Sequence, residues 1–234
     1  MSDPYRHAHW GILAALGVIV AGFWPSFFRS LDGGDTAHTV HGVTATLWVL
    51  CVALQSWLIS RGLVRWHRVV AVFALIVLLV MSGAALLMVA IMQRNTSMPP
   101  FLPPLLAFID IPSIAFLLLL VGLALRHVRR PAIHKRYMAA TILLALPPAL
   151  GRLYPWIFGP RVDFMTGLHA AFFTVDLILI ALILLDRRLP RRYAPYPLSL
   201  AFFVMVQVLM GPMGRNETWR DFLGWYAALP FLRG

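Results

Sequence analysis

The sequence holds a single cysteine, Cys51, among 234 residues. No intrachain disulfide can form, so cysteine usage carries no information on redox compartment. Charge is scarce. Asp, Glu, Lys and Arg make up 12% of the chain, about half of what a soluble domain carries. Acidic residues are scarcer still, 9 against 20 basic ones, for a formal net charge of +11. That excess does not indicate nucleic-acid binding, because the basic residues sit in short loops between apolar runs and form no groove. There is no Cys-x-x-Cys-His, which excludes covalently attached haem and leaves only non-covalent haem. There is no His-Glu-x-x-His, no phosphate loop and no catalytic-triad pattern. No low-complexity tail or long linker divides the chain.

What is present is apolar. Hydrophobic residues are 60% of the sequence, in seven stretches long enough, or nearly so, to cross a hydrocarbon core of about 30 Å. The pattern predicts an all-α, polytopic seven-helix transmembrane bundle. Residues 1–234 form one domain, with spans at about 10–28, 39–60, 67–92, 104–125, 133–151, 165–185 and 197–213. The first run lacks a small-x-small cleavage site before Trp24-Pro25 and reads as a retained span, not a signal peptide. Side one carries Arg6, Arg61, Arg65, Arg68, Arg126, Arg129, Arg130, Lys135, Arg136, Arg187, Arg188, Arg191 and Arg192. Side two carries Arg29, Arg94, Arg152, Arg161, Arg215, Arg220 and Arg233. The bias predicts a cytoplasmic N-terminus, and an odd number of spans then puts the C-terminus outside. The basic loops read first as topology determinants and headgroup anchors, with membrane lipids as partners. Most of the eight Trp fall near predicted interfaces; Trp48 lies deeper.

Polar side chains in such a setting are costly. His41 opens the second span and His169 enters the sixth about one turn in, both from side two. His67 opens the third and His134 the fifth, both from side one. Two histidines facing across a bundle are the minimal axial set for b-type haem, so the pairs His41/His169 and His67/His134 would form a route for electrons across the membrane. Each histidine can equally be an interfacial residue or a tertiary hydrogen-bond partner. A second set, His38, His41, Asp110 and His169, has the donors for zinc, copper or non-haem iron. Asp110 can also cap its helix or pair with Arg152. Asp176 falls near mid-membrane, with Gln55 and Gln207 as candidate partners. These residues with Arg152 read as a proton path, a quinone pocket or a satisfied polar network.

The chain resembles a family of uncharacterised bacterial multi-pass membrane proteins. The resemblance rests on His41 followed by Trp48 and Gln55, on Gly62 to His67-Arg68, and on Asp110. It continues through His134-Lys135-Arg136 with Met138 and Thr141, Gly151-Arg152-Leu153, Asp176, Asp186 and Thr218-Trp219. It covers most of the chain after residue 36. Where the family often has Gly-Arg-x-His-Pro before the last span, this chain has Pro190-Arg191-Arg192-Tyr193. The resemblance implies a multi-pass protein of the bacterial inner membrane and implies no established activity.

Three functional classes remain open on these residues. The first is a redox protein with non-covalent haem b, exchanging electrons with quinone or another membrane redox protein. The second is a metal-dependent membrane enzyme or metal carrier. The third is a proton-coupled transporter or assembly factor.

Overall fold

The computed structural model describes residues 5–30, 35–186 and 195–232. The basic loop with Arg187, Arg188, Arg191, Arg192 and Pro190, and most of the turn Asp32-Gly33-Gly34-Asp35, lie outside the described residues. The described residues form nine α-helices, α1 (Ala8–Phe23), α2 (Thr36–Ser60), α3 (Val64–Gln93), α4 (Leu102–Arg126), α5 (Pro131–Leu143), α6 (Leu146–Phe158), α7 (Phe164–Leu185), α8 (Pro195–Arg215) and α9 (Glu217–Ala227). Seven segments are long and apolar enough to cross a membrane, with α5 and α6 together making the fifth. The seven-span all-helical bundle is therefore observed.

Local chemistry sets the boundaries. Asp35, Asp163 and Asn216 cap α2, α7 and α9, each accepting a main-chain N–H three residues on, which satisfies one of the orphan donors of a helix start. Gly62, at φ +74°, makes the tight turn that folds α3 back on α2; that backbone region favours glycine. After α1 the chain widens into one π-helical turn, Trp24–Phe28, which closes on an Arg29 N–H to Trp24 carbonyl bond of 2.9 Å.

The fifth span departs from the continuous helix expected over 133–151. It breaks between Leu143 and Leu146, because Pro147 and Pro148 have no N–H to offer the carbonyls of Leu143 and Leu144. The two halves then find different neighbours. The first, α5, packs among α4, α8, α1 and α2; the second, α6, packs between α1 and α7. The other pairings are α1 with α2, α2 with α3, α3 with α4, α4 with α8 and α8 with α7, so the helices close a ring around α5 at the end that holds the basic loops.

A ninth helix lies beyond the expected spans. It carries apolar residues on one face and polar ones on the other, and it docks on the ends of α3 and α4. Trp219 Nε1 donates to the Pro104 carbonyl at 2.9 Å, and the Tyr226 hydroxyl donates to the Leu86 carbonyl at 2.9 Å. Arg94 donates to the carbonyls of Ala227 and Leu232, which closes the last turn. Trp48 is buried, whereas Trp10, Trp24, Trp66, Trp156 and Trp225 are exposed.

One close crossing depends on glycine. A Cβ on Gly22 of α1 would sit 2.2 Å from the carbonyl oxygen of Ala149 on α6. Neither partner is a flexible side chain, so the helices would have to part. Gly22→Ala is expected to destabilise the protein by about 1–3 kcal/mol, read as a lower melting temperature in detergent. Gly17→Ala, where nothing lies within 4 Å, is the control and should leave it unchanged.

Candidate functional site

His67 and His134 meet. Each lies in the first turn of its helix, α3 or α5, and both helices start from the basic end. Their ring centroids are 6.4 Å apart with the planes at 78°. His134 Nδ1 bonds the Ala124 carbonyl of α4 at 2.8 Å. A carbonyl only accepts, so Nδ1 carries the proton and Nε2 keeps its lone pair. His67 Nδ1 is buried; the Gln55 carbonyl faces it from α2 but completes no hydrogen bond of normal geometry. Gln55 is itself buried, and so is Trp48, whose Nε1 has no acceptor. Both lie on α2.

The opposite end is different. His41 Nδ1 bonds the Met81 carbonyl at 3.2 Å, within the α2–α3 seam. His169 is exposed on α7, in a groove with Asp163, Met165, Thr166, Ala170, Phe173 and Gln207. Helix α2 packs on α1 and α3, and α7 packs on α6 and α8, so the structure does not bring His41 and His169 together.

The four expected metal ligands are not gathered either. His38 Nδ1 is held by Asp35 at 2.7 Å, on the capping residue of its own helix. Asp110 is in electrostatic range of Arg152. Among the described residues no group of three or more His, Cys, Asp or Glu could hold one ion. Helix partnering, which spacing along the chain does not encode, separates the set.

Of the expected polar network, one link forms. Gln207 Nε2 donates to Asp176 Oδ2 at 3.4 Å, while Asp176 Oδ1 is buried with no partner. Gln55 belongs to the other side of the ring. Arg152 donates to the Pro148 carbonyl at 2.8 Å and lies 4.6 Å above the Phe23 ring, so it supports the proline break.

The tightest polar cluster was not expected. Arg136 on α5 forms a bidentate ion pair with Asp186 at the end of α7, and its third nitrogen donates to the Ala132 carbonyl. Both side chains are less than a tenth exposed. Tyr5 covers the guanidinium at 4.6 Å, donates to Asp186 at 3.2 Å, and shares a 2.7 Å hydrogen bond with Tyr196 of α8. Burial raises the Tyr5 phenol above its ordinary pKa; the Tyr196 hydrogen bond opposes this and the Asp186 charge adds to it. The sequence carried a signal. Arg136 shares a helical face with Ile133 and Ala140, all buried, unlike its neighbours in the basic loop, and Asp186 is the one acid among basic residues there.

The chain matches no protein-family model, no curated protein and no solved structure. The seven-span helical architecture is what the structure itself shows.

Two tests follow from these contacts. Removing one partner of a buried ion pair leaves the other charge stranded, so Asp186→Asn is expected to cost about 3 kcal/mol. The Arg136→Met/Asp186→Leu double variant should cost less than the two single changes summed; thermal melts of the four proteins check this. At the capping position, hydrogen bonds from the Thr166 N–H and hydroxyl depress the Asp163 pKa. A depressed carboxylate contributes stability in full above its unfolded pKa and loses it as pH falls through the folded one. The melting-temperature gap between wild type and Asp163→Ala is therefore expected at pH 7 and should narrow below about pH 4.

Proposed function

We propose that this chain is a multi-pass membrane redox protein in which His67 and His134 hold one b-type haem iron near the basic end of the bundle. The observation that carries this reading is the 6.4 Å spacing of the two rings with His134 Nδ1 locked on a backbone carbonyl. Imidazole nitrogens each about 2 Å from a shared metal put the ring centroids about 6 Å apart. A ligand histidine ordinarily gives its other nitrogen to a carbonyl or carboxylate, which sets tautomer and orientation. Ala71 and Ala74, the small residues behind His67, suit the approach of a flat macrocycle along α3. When bound, haem supplies one-electron chemistry. The protein's part is to hold the two rings, limit water access and set the local charge.

One centre replaces the two-haem route expected from the four histidines, because the second pair is not assembled. Electrons then move within the leaflet at the basic end, exchanged with quinone or another membrane redox protein. The excess of Lys and Arg at that end supports its lying in the cytoplasm, and the bacterial inner membrane is what the family resemblance implies.

Protein purified gently from haem-replete cells is expected to show a Soret band that sharpens on reduction. His67→Ala and His134→Ala should each abolish it while the melting temperature of the apo protein stays within a few degrees. A colourless preparation that added haem leaves unchanged overturns the reading. Stoichiometric zinc or copper in that colourless protein would reassign the pair to a two-histidine metal site. Orientation has its own test. In a Cys51→Ala background, an impermeant maleimide applied to intact cells should label Ser97→Cys and spare Arg129→Cys.

A further inference from the structure

The groove between α7 and α8 opens to the bilayer. It is shallow and open, with a volume of about 560 Å³, and is lined by Asp163, Met165, Thr166, His169, Ala170, Phe173 and Gln207. On α7 the core side is Leu168, Phe172, Val175 and Leu179, all buried. The flank toward α6 carries Thr174, whose hydroxyl meets that of Tyr154 at 2.7 Å. His169 and Phe173 point away from both. Around them Phe173, Leu177, Ile180, Val204 and Val208 are exposed, with Phe173 59% and Val208 64% accessible. Large apolar side chains exposed in this way on a spanning helix face lipid.

This lipid-facing groove is polar where lipid gives least return. His169 lies one turn and more into α7. Gln207 sits deeper, with the Asp176 carboxyl held behind it by the 3.4 Å bond, at the outer limit of hydrogen-bond length. Asp176 is more than nine-tenths buried, and its Oδ1 has no partner. From the capping Asp163 to Asp176 is thirteen residues, about 20 Å along the axis; from Asp176 to Asp186 is ten, about 15 Å. The polar end of the groove is therefore close to the bilayer midplane. Nothing in the α7–α8 packing requires an acid and an amide there; a pair of leucines would fill the seam without the cost of burying polar atoms.

From the groove we infer that α7 and α8 form a binding site for a quinone-class lipid, a para-dioxygenated ring on an apolar tail. Depth excludes a phospholipid headgroup, whose charge would have to enter hydrocarbon. A neutral ring crosses it freely. One ring oxygen meets the Gln207 amide and, when the long bond opens, the Asp176 carboxyl. An ionised carboxyl accepts from a quinol hydroxyl and a protonated one donates to a quinone carbonyl, so both members of the couple find a partner. The other ring oxygen points toward His169, and Phe173 and Met165 provide apolar and sulfur contact for the ring. The site rests on the groove alone and not on the haem reading.

The test uses the full-length protein in nanodiscs with a photoreactive azidoquinone. Labelling is expected on the 163–177 and 204–210 peptides, competed by decylubiquinone and decylubiquinol but not by dioleoylglycerol. Asp176→Leu and Gln207→Leu should each weaken decylubiquinone competition about tenfold, the loss of one hydrogen bond from a buried site. If Asp176→Leu fails to fold, Gln207→Leu carries the comparison. Equal competition by dioleoylglycerol makes the groove an ordinary lipid seat and overturns the site. So does labelling that maps elsewhere, or variants that bind as wild type does. Labelling is read with and without added haem, so a missing Soret band and a missing quinone site are separate results.

Discussion

The bundle hangs together at its basic end on one buried ion pair. Arg136 and Asp186 join α5 to the end of α7, and Tyr5 and Tyr196 bring the N-terminal segment and the start of α8 onto the same two charges. Four elements, from the N-terminal segment to the start of α8, share one set of hydrogen bonds. In a low-dielectric surround such a set is stable only when every member is satisfied. The bidentate fork, the Ala132 carbonyl and the phenol together meet that condition. The pair therefore acts as a register pin for helices whose apolar faces alone would slide, since lipid gives helices no hydrophobic reason to associate.

That pin determines where the candidate site can be. By anchoring α5 in the centre of the ring at the basic end, it places His134, two residues before Arg136, against His67 at the start of α3. The proline break beyond Leu143 lets the outer half of the same span leave the centre and pack between α1 and α7. Arg152 holds the far side of that break through the Pro148 carbonyl and the Phe23 ring. The two ends of the molecule are accordingly unlike. One has a filled centre with two histidines in register. The other has its polar groups distributed around the ring, with α9 docked over α3, α4 and α8.

How much was legible before the fold was known follows from this asymmetry. The apolar runs, their number and the tryptophan placement could be read directly, because each depends on residues within one helix length. Pairing His67 with His134 was also legible: both sit in the first turn of helices that start from the same side. The same reasoning applied to His41 and His169 misled, because depth says nothing about which helices are neighbours. Asp176 with Gln207 was legible as a costly acid in search of an amide. Arg136 was obscured by its company, a basic loop that also carries Arg126, Arg129, Arg130 and Lys135.

By itself the sequence determined the class of the protein, the spans and the charge bias. Hydropathy and positive charge act on each segment singly against the solvent on either side of the bilayer. Only the tertiary structure decided which helices touch, that the fifth span divides, and that one histidine pair meets while the other does not. Those outcomes depend on backbone crossings such as Gly22 on Ala149 and on a charge pair fifty residues apart, and no periodicity along the chain records them.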